Sequence, residues 1–272
     1  MPPMTAAAPA LVSAYTHRSL IRRLVGRELA TRYRGAALGQ AWPLVSPLLM
    51  LAVFTLVFGA VFQSRWPNQA DDGLLSFALV LFAGLLAHAF MSEMLSTAPG
   101  TILENPNYVK KVVFPLETLA WVRLGVAGLH AGVGYLLLLV VNALMGSGLH
   151  LAALALPVIM LPFALLLLGL HWWLSAIGVY LRDLGQLVSP ALTALMFLSP
   201  VFYPRSQAPA PLDAWIAWNP LTIPIEQVRA ALFAGQWPDP LQWGLYLAAA
   251  LLVFASGLLV FQKLRKGFAD VV

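Results

Sequence analysis

The stretch that decides the fold is Leu124–Leu181, LGVAGLHAGVGYLLLLVVNALMGSGLHLAALALPVIMLPFALLLLGLHWWLSAIGVYL, which contains no Asp, Glu, Lys or Arg over 58 residues. At 1.5 Å per residue, one straight helix of this length would measure about 87 Å, nearly three times the roughly 30 Å hydrocarbon layer of a membrane. Gly146-Ser147-Gly148 supplies a turn near the middle of the stretch. The stretch therefore predicts two membrane-spanning helices joined as a hairpin.

The composition of the whole chain agrees with a membrane protein. Of its 272 residues, 60% are hydrophobic and 10% are charged, whereas about 25% of the residues of soluble globular domains are charged. The chain has no cysteine, which excludes disulfides, thiolate metal sites and a cysteine nucleophile. The sequence therefore predicts an all-α integral membrane protein with a single transmembrane domain over residues 1–272.

Charge-free segments predict six membrane-spanning helices in total. Their approximate bounds are 36–62, 73–92, 117–145, 151–179, 186–203 and 241–262. Six crossings place both termini on one side, and that side carries 12 of the 16 Lys and Arg residues. The opposite side carries Arg65, Arg205 and Arg229, while Arg123 lies in or at the edge of the third span. Both termini are therefore predicted to be cytoplasmic, and topology explains the net charge of +5 without a nucleic-acid partner.

Three segments outside these spans have distinct patterns. Residues 13–35 mix arginines with apolar residues and predict an amphipathic interfacial helix that ends at Gly35. Residues 94–115 are cut by three prolines and predict short helical turns at the cytoplasmic surface. The outer segment 204–239 is rich in proline and tryptophan and predicts short re-entrant helices before the last span, one of them from Pro224 to Gly235.

Several kinds of self-contained chemistry find no support in the sequence. No stretch matches the phosphate-binding G-x-x-x-x-G-K-[ST] loop, so any ATP-driven role needs a second polypeptide. The five histidines stand singly, and neither a metal site nor a catalytic residue is predicted. No charged residue lies at midspan, which argues against an ion-coupled secondary transporter. The midspan polar residues His88, His130 and Asn142 are instead predicted to form hydrogen bonds between helices.

Six separated motifs extend along almost the whole chain. They are Arg27–Pro47 (RELATRYRGAALGQAWPLVSP), Glu104–Pro115 (ENPNYVKKVVFP), Tyr180–Leu184 (YLRDL), Ser199–Pro204 (SPVFYP), Trp218–Leu221 (WNPL) and Phe268–Val272 (FADVV). In order and in predicted sidedness, these motifs resemble those of permease subunits of polysaccharide-export ABC transporters. Members of that family export lipid-linked glycans such as O antigen, capsule or teichoic acid precursors.

The resemblance implies partners and a location. A permease of this family pairs with a second copy of itself in the bacterial inner membrane, in contact with membrane lipid. It binds two copies of a cytoplasmic ATP-binding subunit, which holds ATP and magnesium, so no cofactor is expected on this chain. The resemblance also gives a coupling role towards that subunit to the loop after the second span and to the turn after the fourth. The residues so assigned are Glu104, Asn105, Pro106, Tyr108, Lys110, Lys111, Arg182 and Asp183.

Two hypotheses concern the substrate. Four residues at the entrance to the first span are expected to meet the pyrophosphate of an undecaprenyl-type carrier, because guanidinium groups bind phosphate bidentately. They are Arg27, Arg32, Tyr33 and Arg34. Four outer aromatic residues are expected to line the glycan path, where flat ring faces let sugars slide. They are Phe202, Tyr203, Trp215 and Trp218.

Each hypothesis has an alternative that the residues leave open. The arginines would also serve membrane topology and contact with anionic lipid alone. The aromatic residues would also suit an interfacial belt. For the protein as a whole, the alternatives are an ABC-type exporter of a lipid or drug without a glycan and, less favoured, a membrane-embedded enzyme of envelope glycan assembly.

Overall fold

The computed structural model describes residues 14–57, 74–110, 114–145 and 148–272, which are helical with intervening turns and contain no strand. In chain order the helices are α1 (Arg18–Arg32), α2 (Trp42–Phe54), α3 (Leu74–Ser96), α4 (Pro106–Lys110), α5 (Thr118–Met145), α6 (Leu156–Tyr180), α7 (Leu184–Phe197), α8 (Ala210–Trp218), α9 (Thr222–Phe233), α10 (Pro240–Leu264) and α11 (Phe268–Val271). The predicted all-α class is confirmed. Of the predicted turn at 146–148, only Gly148 is described, with a φ of +90°.

Four of these helices, α3, α5, α6 and α10, are long and apolar enough to cross a membrane. They have 23 to 28 residues, which correspond to about 35–42 Å of helix and exceed the roughly 30 Å hydrocarbon layer. A 3-10 segment, Leu151–Ala155, leads into α6. These helices agree with the predicted segments 73–92, 117–145, 151–179 and 241–262, and they make the chain an integral membrane protein.

The other two predicted spans correspond to shorter apolar helices. Helix α2 begins at Trp42 rather than at residue 36, because turns and a 3-10 segment lead up to Pro43, and proline suits the first turn of a helix. The described residues of this segment end at 57. Helix α7 has 14 residues, which correspond to about 21 Å. It ends before Ser199, because a proline such as Pro200 disfavours a helical conformation of the residue that precedes it. The count of six crossings therefore stays a prediction.

Helix α3 lies at the centre of the bundle. Its most apolar window is 72% buried within the chain, whereas the windows of the other three long helices are 28–44% buried. The contacts of α3 include α2, α5, α6, α7 and α9. The remaining apolar surface of the outer helices is left for lipid or for another subunit.

Helices α6 and α10 pack with their backbones in direct contact. A Cβ atom at Gly257 would lie 2.1 Å from the carbonyl oxygen of Gly169, and one at Gly169 would lie 2.5 Å from the oxygen of Val253. Small residues at both positions allow this approach, as at other close helix crossings in membranes. Nearby, the rings of Trp172 and Phe254 meet edge to face at 5.1 Å.

The outer segment folds as two short helices, as predicted. Helix α9 (Thr222–Phe233) is followed by Gly235 with a φ of +65°, close to the predicted bounds of 224–235. Asn219 builds the corner between α8 and α9: its amide donates to Ser199 Oγ at 2.9 Å, and its Oδ1 accepts from the Leu221 amide at 2.9 Å. These bonds explain the WNPL motif as a structural corner. Whether the two helices enter the membrane stays a prediction.

Candidate functional site

The coupling segment, defined here as residues 98–110, forms two short helical pieces. Ala98–Gly100 is a 3-10 turn, and α4 follows from Pro106, where proline occupies the first helical position. Asn105 Nδ2 donates to the Thr101 carbonyl at 2.9 Å, and the Tyr108 ring stacks on Phe114 at 4.3 Å. The short turns predicted for residues 94–115 are therefore present where the structure describes them.

The predicted ATPase-facing residues gather at one end of the molecule. Glu104, Pro106 and Lys110 are exposed, as are Arg182 and Asp183 in the turn between α6 and α7, while Asn105 and Tyr108 are half-buried. Pro99 of the coupling segment packs against the end of α6, just before the Arg182–Asp183 turn. Its carbonyl oxygen lies 2.4 Å from the place where a Cβ of Gly178 would be. Lys111 lies outside the described residues.

The C-terminal end of the chain packs at the same end of the molecule. Arg265 pairs with Glu117 at 3.0 Å and donates to the Phe114 carbonyl at 3.2 Å. The Tyr180 hydroxyl donates to the Leu264 carbonyl at 2.9 Å, and Phe268 is fully buried. The FADVV motif thus anchors the terminus beside the coupling segment.

Helix α1 forms the helix that was predicted over 13–35, and its position at the membrane interface stays a prediction. It runs to Arg32, and the turn that follows reaches Gly35 with a φ of +78°, which confirms the glycine stop. None of its side chains is buried. Arg27 and Glu28, at its middle, contact the coupling segment and α5, whereas Arg32 and Tyr33 reach α3 and α5.

A cavity of about 590 Å³ lies between α2, α3 and α5. Its wall is mostly apolar, and its polar residues gather where α1 ends. Arg32 hydrogen-bonds to Glu93, His130 Nδ1 lies 2.8 Å from Glu93 Oε1, and the Tyr33 hydroxyl lies 2.9 Å from His130 Nε2. Since a carboxylate only accepts, His130 Nδ1 donates to Glu93. The cavity thus combines an apolar wall with a charged, hydrogen-bonding end, which suits an amphiphilic molecule with an anionic head.

The charge of Arg32 is secured by this arrangement. Burial alone would lower the pKa of Arg32, but the hydrogen bond and the negative charge of Glu93 raise it above its ordinary value. In this conformation Glu93 is the counter-ion of Arg32, and an anionic ligand would have to share or displace it.

The four residues predicted to meet a pyrophosphate do not line one site. Arg32 and Tyr33 line the large cavity. Arg27 lines a separate cavity of about 310 Å³ and donates to the Tyr108 hydroxyl at 2.8 Å. Arg34 is exposed. The large cavity also includes Glu93 and His130; the sequence predicted only an interhelical hydrogen bond for His130. Their 37-residue separation gave no signal that they meet.

The midspan polar residues behave largely as predicted. His88 Nε2 lies 3.0 Å from the carbonyl of Leu192 in α7, and His130 bonds to α3. The prediction is wrong for Asn142, whose amide donates to the Gly148 carbonyl just beyond its own helix, at 2.7 Å. The Gly148 amide donates back to the Asn142 carbonyl at 3.3 Å, so Asn142 closes the loop that follows α5 instead of bonding to a neighbouring helix. Among the described residues there is no group of three or more His, Asp or Glu that could hold a metal ion.

The four outer aromatic residues fall into two pairs. Phe202 stacks on Phe197 at 5.5 Å and Tyr203 donates to the Phe197 carbonyl at 3.0 Å, so both fold back onto the end of α7. Trp215 and Trp218 are 75% and 91% exposed, and their spacing of three residues places them on one face of α8. The nearby pair of Arg205 and Asp213, 2.6 Å apart, keeps the pKa of Asp213 below its ordinary value through the hydrogen bond from Arg205.

Comparison with known proteins agrees with the fold and the motifs. The ABC-2 type transporter family matches residues 19–233. The O-antigen export system permease protein RfbA of Myxococcus xanthus is 30% identical over 262 residues, 95% of this chain and 97% of that protein. A Klebsiella pneumoniae protein of the same name is 23% identical over 92% of this chain and 93% of its own length. The polysialic acid transport protein KpsM of Escherichia coli is 24% identical, with shares of 86% and 88%. The chain therefore belongs to the ABC-2 type transporter family, as a permease of the polysaccharide-export group that its six motifs resemble.

Proposed function

We propose that this chain is the transmembrane subunit of an exporter that moves a lipid-linked polysaccharide across the bacterial inner membrane. A separate cytoplasmic ATP-binding subunit supplies the energy and holds ATP and magnesium. Two copies of the chain enclose the path and bind two copies of that subunit. The names of the relatives, which concern O antigen and polysialic acid, support a polysaccharide as cargo.

One observation carries this proposal: the exposed coupling segment and the Arg182–Asp183 turn lie together at the end of the molecule that also holds α1 and the C-terminal end of the chain. A soluble motor needs such short, charged and exposed elements to engage a membrane domain. The same end contains most of the basic residues, which supports its cytoplasmic orientation under the positive-inside rule.

Assembly with the ATP-binding subunit tests this proposal. We expect the two proteins to co-purify in detergent and to hydrolyse ATP faster when the lipid-linked glycan is added. Charge reversal by Asp183→Lys should lower the recovered ATP-binding subunit severalfold, because Asp183 is exposed at the proposed contact. Asp213→Lys makes the same charge change on α8, at the opposite end, where the half-exposed side chain pairs with the nearby Arg205, and should leave recovery unchanged. No complex, or equal loss with both variants, would contradict the proposal.

The lipid carrier is proposed to place its diphosphate at the charged end of the large cavity. Arg32 and Tyr33 supply donors there, His130 orients Tyr33, and the apolar wall receives the first isoprenyl units. Arg27, which bonds to Tyr108, and exposed Arg34 are assigned a secondary, electrostatic part.

Replacing Arg32 by glutamine should reduce export at least tenfold, since one charge-assisted bond to phosphate contributes about 1.5–3 kcal/mol. Arg34→Gln removes the same charge two residues away and should reduce export less than threefold. Export is measured as glycan at the cell surface, with assembly of the complex checked in parallel. Equal export by the two variants would assign the arginines to topology and lipid contact alone.

The exposed rings of Trp215 and Trp218 are proposed to guide the glycan at the outer end of the path, with Phe202 and Tyr203 supporting the end of α7 beside them. Flat aromatic faces contact sugars without binding one sequence tightly. Unchanged export by a variant with alanine at both tryptophan positions would place these rings in an interfacial belt instead.

A further inference from the structure

Polar contacts fasten the interfacial helix α1 to the coupling segment. Arg27 Nη2 donates to the Tyr108 hydroxyl at 2.8 Å. Arg123 Nη1 lies 2.5 Å from Glu28 Oε1, and its Nη2 lies 3.6 Å from Glu104 Oε2. We call these five residues the polar bridge. They meet around the cavity of about 310 Å³ that separates α1 from the coupling segment.

Arg123 is the hub of this bridge, and the sequence assigned it no partner. It lies near the start of the apolar helix α5, where an unpaired charge would be costly. Its guanidinium is shared by two carboxylates, one on α1 and one on the coupling segment. Glu28 lies closer to Arg123 than Glu104 does, and Glu104 is 61% exposed. If Glu104 moved closer, it would compete with Glu28 for the N–H donors of the Arg123 guanidinium.

Helix α1 is suited to follow such a movement. None of its side chains is fully buried, so a rigid displacement of the helix costs less apolar burial than that of a core helix would. Its apolar contacts are partial: Leu20 and Leu24 pack half-buried against the core, and Val25 lies against Gly125 of α5. Polar contacts hold it in addition at two places: the bridge at its middle, and Arg32 and Tyr33 at its end.

Within the coupling segment, the part that contributes Tyr108 to the polar bridge is held firmly in place. The Tyr108 ring stacks on Phe114, whose carbonyl accepts from Arg265. Asn105 is bonded to the carbonyl of Thr101, which is 2% exposed. A displacement of α4 therefore carries the Tyr108 hydroxyl with it rather than being absorbed by a loose loop.

We propose that ATP-driven displacement of the coupling segment is transmitted to α1 through the polar bridge, with Arg123 as the positioning residue. This inference rests on the proposed function, because a bound motor must move the coupling segment. At the far end of α1 the movement draws Arg32 and Tyr33 away from Glu93 and His130. The charged end of the large cavity thereby opens to an anionic head in step with the ATP cycle.

Hydrogen exchange of the complex in lipid nanodiscs tests this transmission. The complex with its ATP-binding subunit is compared without nucleotide and after trapping with Mg-ATP and vanadate. In the wild type, amide exchange should change both in residues 98–110 and in Arg18–Arg32. In the double variant Tyr108→Phe, Arg123→Gln, the change in residues 98–110 should persist and the change in α1 should fall at least fivefold. The phenylalanine keeps the stacking on Phe114 and removes only the hydroxyl.

Two controls distinguish transmission from simple docking of α1. The double variant Arg22→Gln, Arg23→Gln removes charge from exposed positions of α1 and should respond like the wild type. The second control combines Tyr108→Phe with the charge swap Glu28→Arg, Arg123→Glu. The swap restores the ion pair between α1 and α5, but it places the new carboxylate at position 123 beside that of Glu104, so the two repel each other. Transmission predicts that α1 regains its resting protection yet does not respond to nucleotide. A restored response would overturn the proposal.

Other outcomes separate a failure of the transmission from a failure of the proposed function. If residues 98–110 respond in the wild type but α1 does not, or if α1 responds fully in the Tyr108→Phe, Arg123→Gln variant, the transmission is wrong while the proposed function survives. If residues 98–110 do not respond and no ATP-binding subunit is retained, the proposed function fails and the transmission falls with it.

Discussion

Replacing Gly257 by alanine should destabilise the folded protein by about 1–3 kcal/mol, a typical range for overpacking in a close-packed interior. The added Cβ would lie 2.1 Å from the carbonyl oxygen of Gly169, and backbone cannot yield as a flexible side chain does. Helices α6 and α10 would have to separate along the crossing that carries Trp172 and Phe254. The free energy of unfolding is measured by SDS titration of the purified chain, followed by tryptophan fluorescence.

Gly244 provides the matched control in the same helix. No atom lies within 4 Å of a Cβ built there, so Gly244→Ala should be neutral or stabilising by up to about 1 kcal/mol, because alanine favours a helix over glycine. Similar unfolding free energies for the two alanine variants would show that the α6–α10 crossing is looser than described.

Replacing Arg229 by methionine should cost about 2–4 kcal/mol of stability, because its removal leaves buried carbonyls without their donor. The Arg229 side chain, 9% exposed, donates to the carbonyls of Val80 at 2.9 Å, Pro200 at 2.5 Å and Val201 at 2.7 Å. The last two carbonyls belong to the break after α7. Arg229 thus ties α9 to both α3 and the end of α7.

Two comparisons make this expectation specific. Arg229→Lys keeps the charge but loses the planar fork that reaches three oxygens, and should recover less than half of the loss. Arg205→Gln removes an arginine that pairs with the half-exposed Asp213 and should leave the stability nearly unchanged, because ion pairs in contact with water contribute little. The readouts are the SDS unfolding free energy and the rate of protease cleavage in the outer segment. An Arg229→Met variant as stable as Arg205→Gln would contradict the role of Arg229.

Local patterns predicted the helices and their ends well. The stop at Gly35, the short pieces cut by Pro99 and Pro106, and the helix before Gly235 all follow from the backbone preferences of glycine and proline. Charge-free length predicted the four long helices. It placed the end of α7 too late, at 203 instead of Phe197. Ser199-Pro200 carries no charge and so did not interrupt the charge-free segment, but its backbone ends the helix.

The polar clusters could not be predicted, because they depend on how helices pack rather than on sequence spacing. Glu93 and His130 meet only through the register of α3 against α5, and Glu117 and Arg123 find partners on α10 and α1 respectively. Arg229 was counted among the outer basic residues, with no sign that it is buried. In each case the burial cost of a charged or polar group selects its partner, and only the three-dimensional arrangement shows which partner is within reach.

Together these contacts describe how a permease without its own ATPase site would be driven. In the proposed mechanism the coupling segment would receive the force, the α6–α10 crossing would provide a rigid support, and the polar bridge would lead to the charged end of the cavity. Arg229 ties the outer helix α9 to α3 and to the end of α7 through hydrogen bonds to backbone carbonyls.

Transport in inside-out vesicles tests the central claim most directly. Vesicles that contain this chain and its ATP-binding subunit receive a lipid-linked polysaccharide on their outer face, and the fraction protected from an added glycan hydrolase is measured. We expect protection that needs Mg-ATP and both proteins, and that falls at least tenfold with Arg32→Gln. Protection that arises without the ATP-binding subunit, or none when the assembled complex hydrolyses ATP, would contradict the claim.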